Sequence, residues 1–298
     1  MGIKQMDNGD KKENILEGRL VETLFGPVEE KDAPDYQEII REEMPHYLFD
    51  SRYDRQQVDL PLIDVARYRP KIITQENISY LIPYLDELTL FEKQWGFVKK
   101  EGGRDGWCYW VKAEAVPILE KLTELCRQNQ LLQPRAVYSY FFCAAHENTL
   151  YLYKEDQKEV FLEIECPRLK NGVCLTDKLA VQGSGVFDTI AAVAVNMGRN
   201  AAEMAKSWLA AGKNVDYGYL HGFALEMLNA MTQYSASVIA AEGCCMGDVF
   251  SLGSAKQGTA KVQSALIKML DASLIDIAFS RNYLMMPEYS SLALVFPR

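Results

Sequence analysis

Two short stretches near the C-terminus carry the residue types best suited to hold a ligand through backbone. Val249-Phe250-Ser251-Leu252-Gly253-Ser254 is a loop of small residues, and Tyr283-Leu284-Met285-Met286-Pro287-Glu288-Tyr289-Ser290 contains a proline turn. Small residues and proline hold main-chain N–H and C=O groups in fixed turns, where they can line a groove or simply reverse the chain. Both roles stay open at this level. The reactive side chains are less organised. Seven cysteines, at 108, 126, 143, 166, 174, 244 and 245, include no Cys-x-x-Cys pair, so neither a disulfide framework nor a zinc site is expected. The adjacent Cys244 and Cys245 suit redox or metal chemistry, but buried thiols are the default for cysteine. His46, His146 and His221 are too scattered for a His-rich metal centre. No nucleophile–histidine–acid set is recognisable.

The elements that must position these residues follow from periodicity. Between the two C-terminal stretches, Val262, Ala265, Leu266 and Met269 place a stripe on a helix over Thr259–Ala272, and Leu292–Phe296 reads as a closing strand. Upstream, helices are expected over Asn77–Glu87 and Glu114–Gln130, with a charged, Gly-rich loop at Lys99–Gly106. Strands are expected at Ala136–Ala144, Thr149–Tyr153 and Glu159–Glu165, an antiparallel meander. Asp188–Val195 is an apolar run suited to a buried strand. Asn200, three residues before Glu203, resembles a helix cap with Gly212 at the stop, and Tyr217–Glu242 is a long helix in which Met227 and Met231 fill core gaps. The pattern predicts an α+β fold: a curved, mainly antiparallel sheet with flanking helices.

Composition narrows the function classes. Apolar residues make up 48% and charged residues 24% of 298, ordinary for a globular protein able to bury a sizeable core. No run is long and apolar enough to span a membrane, and the first residues lack a signal-peptide core, so a cytoplasmic location is expected. Of the net charge of −9, residues 1–66 carry −8, from sixteen acids and eight bases. Such a balance argues against nucleic-acid binding. Residues 1–70 read as an acidic extension broken by Pro27, Pro34, Pro45 and Pro61, with short helices over Glu13–Leu24 and Pro34–Glu43; residues 71–298 read as one domain. The extension suits either a flexible arm or a strap on the main body.

Several segments, in order, resemble the activation domain of cobalamin-dependent methionine synthase. Tyr84-Leu85-Asp86 with Phe91 and Trp95 resembles its Tyr-Ile-Asp-Trp-x-x-Phe-Phe-x-x-Trp segment. Arg135 to Phe141 resembles its first central strand. Cys174 to Ala180 and Asp188 to Val195 resemble its Cys-Leu-Ala-Asp-Phe-Val segment and next strand. Phe250 to Ser254 stands at its Arg-x-x-Pro-Gly-Tyr loop, and Met285 to Ser290 at its Met-x-x-Pro-x-x-Ser type segment. The resemblance covers residues from about 75 to 298 and leaves the acidic extension out.

The resemblance implies a domain that binds S-adenosylmethionine against a corrinoid held by a partner. There, an electron from a flavodoxin-type donor and the methyl group of S-adenosylmethionine regenerate methylcobalamin from cob(II)alamin. It implies cofactor-binding positions at Asp86, Asn229, Ser251, Gly253 and Ser254; the family's acidic residue on the long helix falls at Asn229 in this chain. The departures are chemical. The loop's Arg, which pairs with the ligand carboxylate, falls at Val249; its Pro falls at Leu252 and its Tyr at Ser254. Losing a carboxylate's charged partner costs about 2–5 kcal/mol. Asp86 also reads as a capping acid. Two roles stay open. One is a stand-alone corrinoid-reactivating methyltransferase component, acting on a separate corrinoid protein or corrinoid methyltransferase. The other is a non-catalytic binding or assembly module that has lost S-adenosylmethionine.

Overall fold

The computed structural model describes residues 67–97, 103–168, 172–243, 245, 249–252, 257–280 and 284–296. The expected helices of the acidic extension, and Cys244, Gly253 and Ser254, lie outside the described residues. Segment 97–129 belongs to a compact unit separate from the sheet-bearing residues. Within it, α1 runs over Gly103–Gln128, eleven residues ahead of the expected start at Glu114, so Gly103 to Gly106 are helical and not loop. Pro117 sits inside this helix, which continues upstream of it. Val111, Ala115, Leu119, Leu122 and Cys126 form its buried stripe.

The other unit is organised on a seven-stranded sheet. Its strands are β1 (Lys71–Thr74), β2 (Arg135–His146), β3 (Thr149–Tyr153), β4 (Val160–Glu165), β5 (Asp188–Asn196), β6 (Val249–Ser251) and β9 (Ser290–Val295). The order is β4-β3-β2-β5-β9-β6, every ladder antiparallel, with β1 also on β2. The remaining strands, β7 (Ala278–Phe279) and β8 (Met285–Met286), form a separate hairpin. The meander expected from sequence is β2-β3-β4, and the expected buried strand is β5 at the centre. Thr189 to Asn196 are all buried, because both faces of β5 are covered.

β1 and β3 share one edge of the twelve-residue β2, end to end. Tyr68 fills the gap between them. Its N–H donates to Tyr140 O at 2.9 Å, while its hydroxyl accepts from Phe142 N at 3.2 Å and donates to Tyr153 O at 2.6 Å.

Alternation divides the sheet into two faces. One carries Val137, Phe141, Ile190, Ala192, Ala194, Leu292 and Leu294, packed with Leu266, Ile267 and Leu270 from the end of α4 (Gln257–Met269) and beyond. In the expected stripe of α4, Met269 proves exposed and Ile267 and Leu270 replace it. The helix begins two residues earlier than expected. The other face carries Tyr138, Tyr140, Val193, Ser291 and Ala293, covered by α3 (Asn214–Ala241). Met227 and Met231 are fully buried there.

α2 (Asn200–Ala210) packs on α3 and ends where expected, with Gly212 left-handed at φ 77°. Its start differs. Arg199, not Asn200, is the cap, and the Asn200 amide instead donates to Gln130 O at 3.1 Å. The expected helix over Asn77–Glu87 is also revised. Residues Ile78–Tyr84, which include Pro83, form a 3-10 stretch capped by Asn77. The chain extends at Leu85 and then coils into a π-helical turn over Thr89–Gln94.

Candidate ligand face

The 28-residue α3 is the platform. The Asp86 segment is pinned to it at two points. Toward the C-terminal half, Tyr84 OH lies 3.1 Å from Ser237 Oγ, and its ring meets Tyr234 edge-on at 5.6 Å. Toward the N-terminal half, Trp95 Nε1 donates to Tyr219 O at 3.0 Å and Gln94 Nε2 to Glu226 Oε1 at 3.0 Å. Asp86 lies in the chain between these anchors, and Asn229 lies in α3 between Glu226 and Ser237. Both residues are exposed, and no hydrogen bond joins them.

The Asp86 carboxylate has a local task. Oδ1 accepts from Thr89 N at 3.0 Å and Oδ2 from Thr89 Oγ1 at 2.7 Å, so it caps the π-helical turn. Each oxygen keeps a lone pair for a further donor. Next to it, Glu87 is half-buried, and burial alone pushes its carboxyl up from 4.5 to about 7. Sequence inspection singled out Asp86 and passed over Glu87.

Ser251 is exposed at the end of β6. It pairs with Ala293, so it points to the α3 side of the sheet, as does Val249 opposite Val295. Two residues along β9, Ser291 Oγ lies 3.2 Å from Thr232 Oγ1 of α3. Ser251, Asn229 and the Asp86 turn thus belong to one side of the sheet. At the position of the resembled loop's Pro, Leu252 is buried in the opposite core. Its carbonyl accepts from Gln263 Nε2 at 2.7 Å, which ties the start of the loop to α4.

Glu226 and Gln263 were missed from sequence. Each had one signal: a polar residue on a face otherwise filled by Ala, Leu, Met or Ile. Glu226 is 2% exposed, with Oε1 on Gln94 and Oε2 accepting from Asn229 Nδ2 at 3.1 Å.

A second polar cluster closes the C-terminal end of α3. Glu242 accepts from Lys71 Nζ at 2.7 Å, Tyr138 OH at 2.7 Å and Tyr140 OH at 2.8 Å. Burial raises its carboxyl, but these three donors outweigh burial and leave it below its ordinary value. Burial, then the bonds to Glu242, push both tyrosines well above their usual range. Nearby, Cys245 is fully buried and its thiol donates to Thr189 O at 3.5 Å. Cys126, Cys143, Cys166 and Cys174 are also buried, with the Cys166 thiol pushed up to about 12 by burial. Among the described residues no group of three or more His, Cys, Asp or Glu is placed to hold a metal ion, and no helix is long and apolar enough to cross a membrane.

The fold is that of a known reactivation domain. A crystal structure of the MetH reactivation domain bound to AdoHcy superposes with a TM-score of 0.60 at 18% identity, covering 77% of this chain and 78% of that one. In sequence, the chain is similar to methionine synthase of Mycobacterium tuberculosis (strain ATCC 25618 / H37Rv), 29% identical over 162 residues. That match takes in 50% of this chain but only 13% of the methionine synthase. No family model matches. The resemblance to the activation domain of methionine synthase, and the curved antiparallel α+β architecture it implies, therefore hold.

Proposed function

We propose that this chain serves a corrinoid protein or corrinoid methyltransferase as a cytoplasmic module related to the reductive reactivation domain of methionine synthase. The observation that supports it is the grouping of the Asp86 turn, Asn229 and Ser251 on the α3 side of a sheet with that domain's fold. A cobalamin on the partner, an S-adenosylmethionine methyl group and an electron from a flavodoxin-type donor would supply the chemistry. The chain's own residues would bind, orient and exclude water.

The donor set fits one end of S-adenosylmethionine better than the other. Asp86 and Asn229 offer acceptors to an ammonium or a ribose hydroxyl. Val249 is partly buried and offers no cation to the methionine carboxylate. Binding weaker by roughly 30-fold or more than with an Arg in that place is expected.

The buried Leu252 favours a second role, in which the chain docks on the same partner without S-adenosylmethionine. Calorimetric titration with S-adenosylmethionine and S-adenosylhomocysteine separates the two. Weak binding that Asp86→Asn reduces about tenfold supports the first. Absence of heat at millimolar nucleoside, with a corrinoid protein still captured, leaves the docking module. If neither the nucleoside nor a corrinoid protein binds, both fail.

A further inference from the structure

We propose that Glu226 is the positioning residue of this face: its buried carboxylate sets the Asn229 amide so that an oxygen acceptor points outward, making this subsite select a hydrogen-bond donor. This rests on the ligand role proposed above for Asn229 and names the chemistry that the subsite accepts.

Glu226 lies in the middle of an apolar run of α3, between Phe223 and Met231, and is 2% exposed. A carboxylate accepts and does not donate. With Glu226 Oε2 at 3.1 Å from Asn229, the NH2 end of that amide must face inward. Oδ1 is then left on the exposed side, where Asn229 lies. The same logic turns the NH2 of Gln94 toward Oε1 at 3.0 Å. Gly222 makes that second contact feasible. A Cβ built there would meet Gln94 Cβ at 2.8 Å and Trp95 Cδ1 at 3.1 Å. The turn that begins at Asp86 therefore rests directly on helix backbone, one turn before Glu226.

One buried acid thus holds both Asn229 and the turn that Asp86 caps. A buried carboxylate between two neutral amides is a poor way to gain stability, since its desolvation offsets much of what the bonds return. Its orientation of both amides is what an apolar residue could not supply. The ligand group that suits the acceptors of Asp86 and Asn229 is a donor such as an ammonium or sugar hydroxyl, not a carboxylate.

The test uses the full chain, with the Asn229 side-chain NH2 assigned by its loss in Asn229→Ala. In the wild type, one of its protons should be shifted downfield and exchange slowly with water. In Glu226→Leu the shift and the protection should vanish. With S-adenosylhomocysteine as probe, Glu226→Leu and Asn229→Ala should each weaken binding about tenfold, and the double variant no further, because both remove one oriented acceptor. Unchanged Asn229 amide signals in Glu226→Leu, or additive losses of affinity, overturn the proposal. Glu226→Gln, close in shape, guards against misfolding: its amide can accept from only one neighbour, so the Asn229 or the Gln94 NH2 signal must change. A wild type that fails to bind the probe removes the nucleoside role, while the amide signals still decide whether Glu226 orients Asn229.

Discussion

At the scale of single residues, the face mixes groups that are well satisfied with one that is not. Glu87 is the exception, a half-buried acid raised to about 7 by burial. Its folded value lies above its unfolded value of 4.5. The stability it contributes is therefore fully present below 4.5 and lost as pH rises through about 7. Full desolvation over that interval would correspond to about 3 kcal/mol, but solvent reaches a good part of the group and screens it, so about 1 kcal/mol is expected. Glu87→Gln should accordingly stabilise the protein by about that much at pH 8 and change little at pH 4, read from denaturant melts at both values. Glu242 has the opposite sign. Its depressed carboxyl contributes stability above its unfolded value that disappears on acidification. Asp86 could be recognised in the sequence as a capping acid because a cap acts within three residues. The partners of Glu242 lie more than 100 residues away, and nothing local announces them.

At the scale of elements, the long helix and strands β2, β3, β4, β5 and β9 were legible; β1, β7, β8, β6 (expected as loop) and the segments that lean on the helix were not. β2, β3, β4 and β5 follow residue alternation and branching, and α3 follows its apolar length up to Gly243. The stretch from Ile78 to Gln94 has no regular period, because its shape is set by docking on α3. The cap of α2 was misread for a related reason: Asn200 spends its amide on the Gln130 carbonyl, a tertiary partner that no capping rule contains. Gly222 tests the docking directly. Gly222→Ala would gain helix propensity of roughly 1 kcal/mol but drive a methyl into Gln94 at 2.8 Å. A net loss of about 1–2 kcal/mol is expected, with the Trp95 indole signals shifting in fluorescence or NMR. A gain in stability would mean that the π-helical turn is free to move off the helix.

At the scale of the whole sheet, the candidate site is assembled from distant parts of the chain. β9, last in sequence, lies between β5 and β6, and only that placement brings Ser251 to the side on which α3 lies. Sequence order alone says nothing about this crossing, which is why the motifs were recognisable before their common location was. Tyr68 carries a consequence for the edge of the sheet. It acts as a grouting piece in an unfinished seam, and its phenol stands in for main chain that neither neighbouring strand supplies. Tyr68→Phe should lower stability by about 1–3 kcal/mol, and amide exchange at Phe142 should quicken more than at Val193 in the interior of the sheet. Tyr68 therefore belongs with the sheet, and any trimming that begins at Lys71 would open the seam it seals.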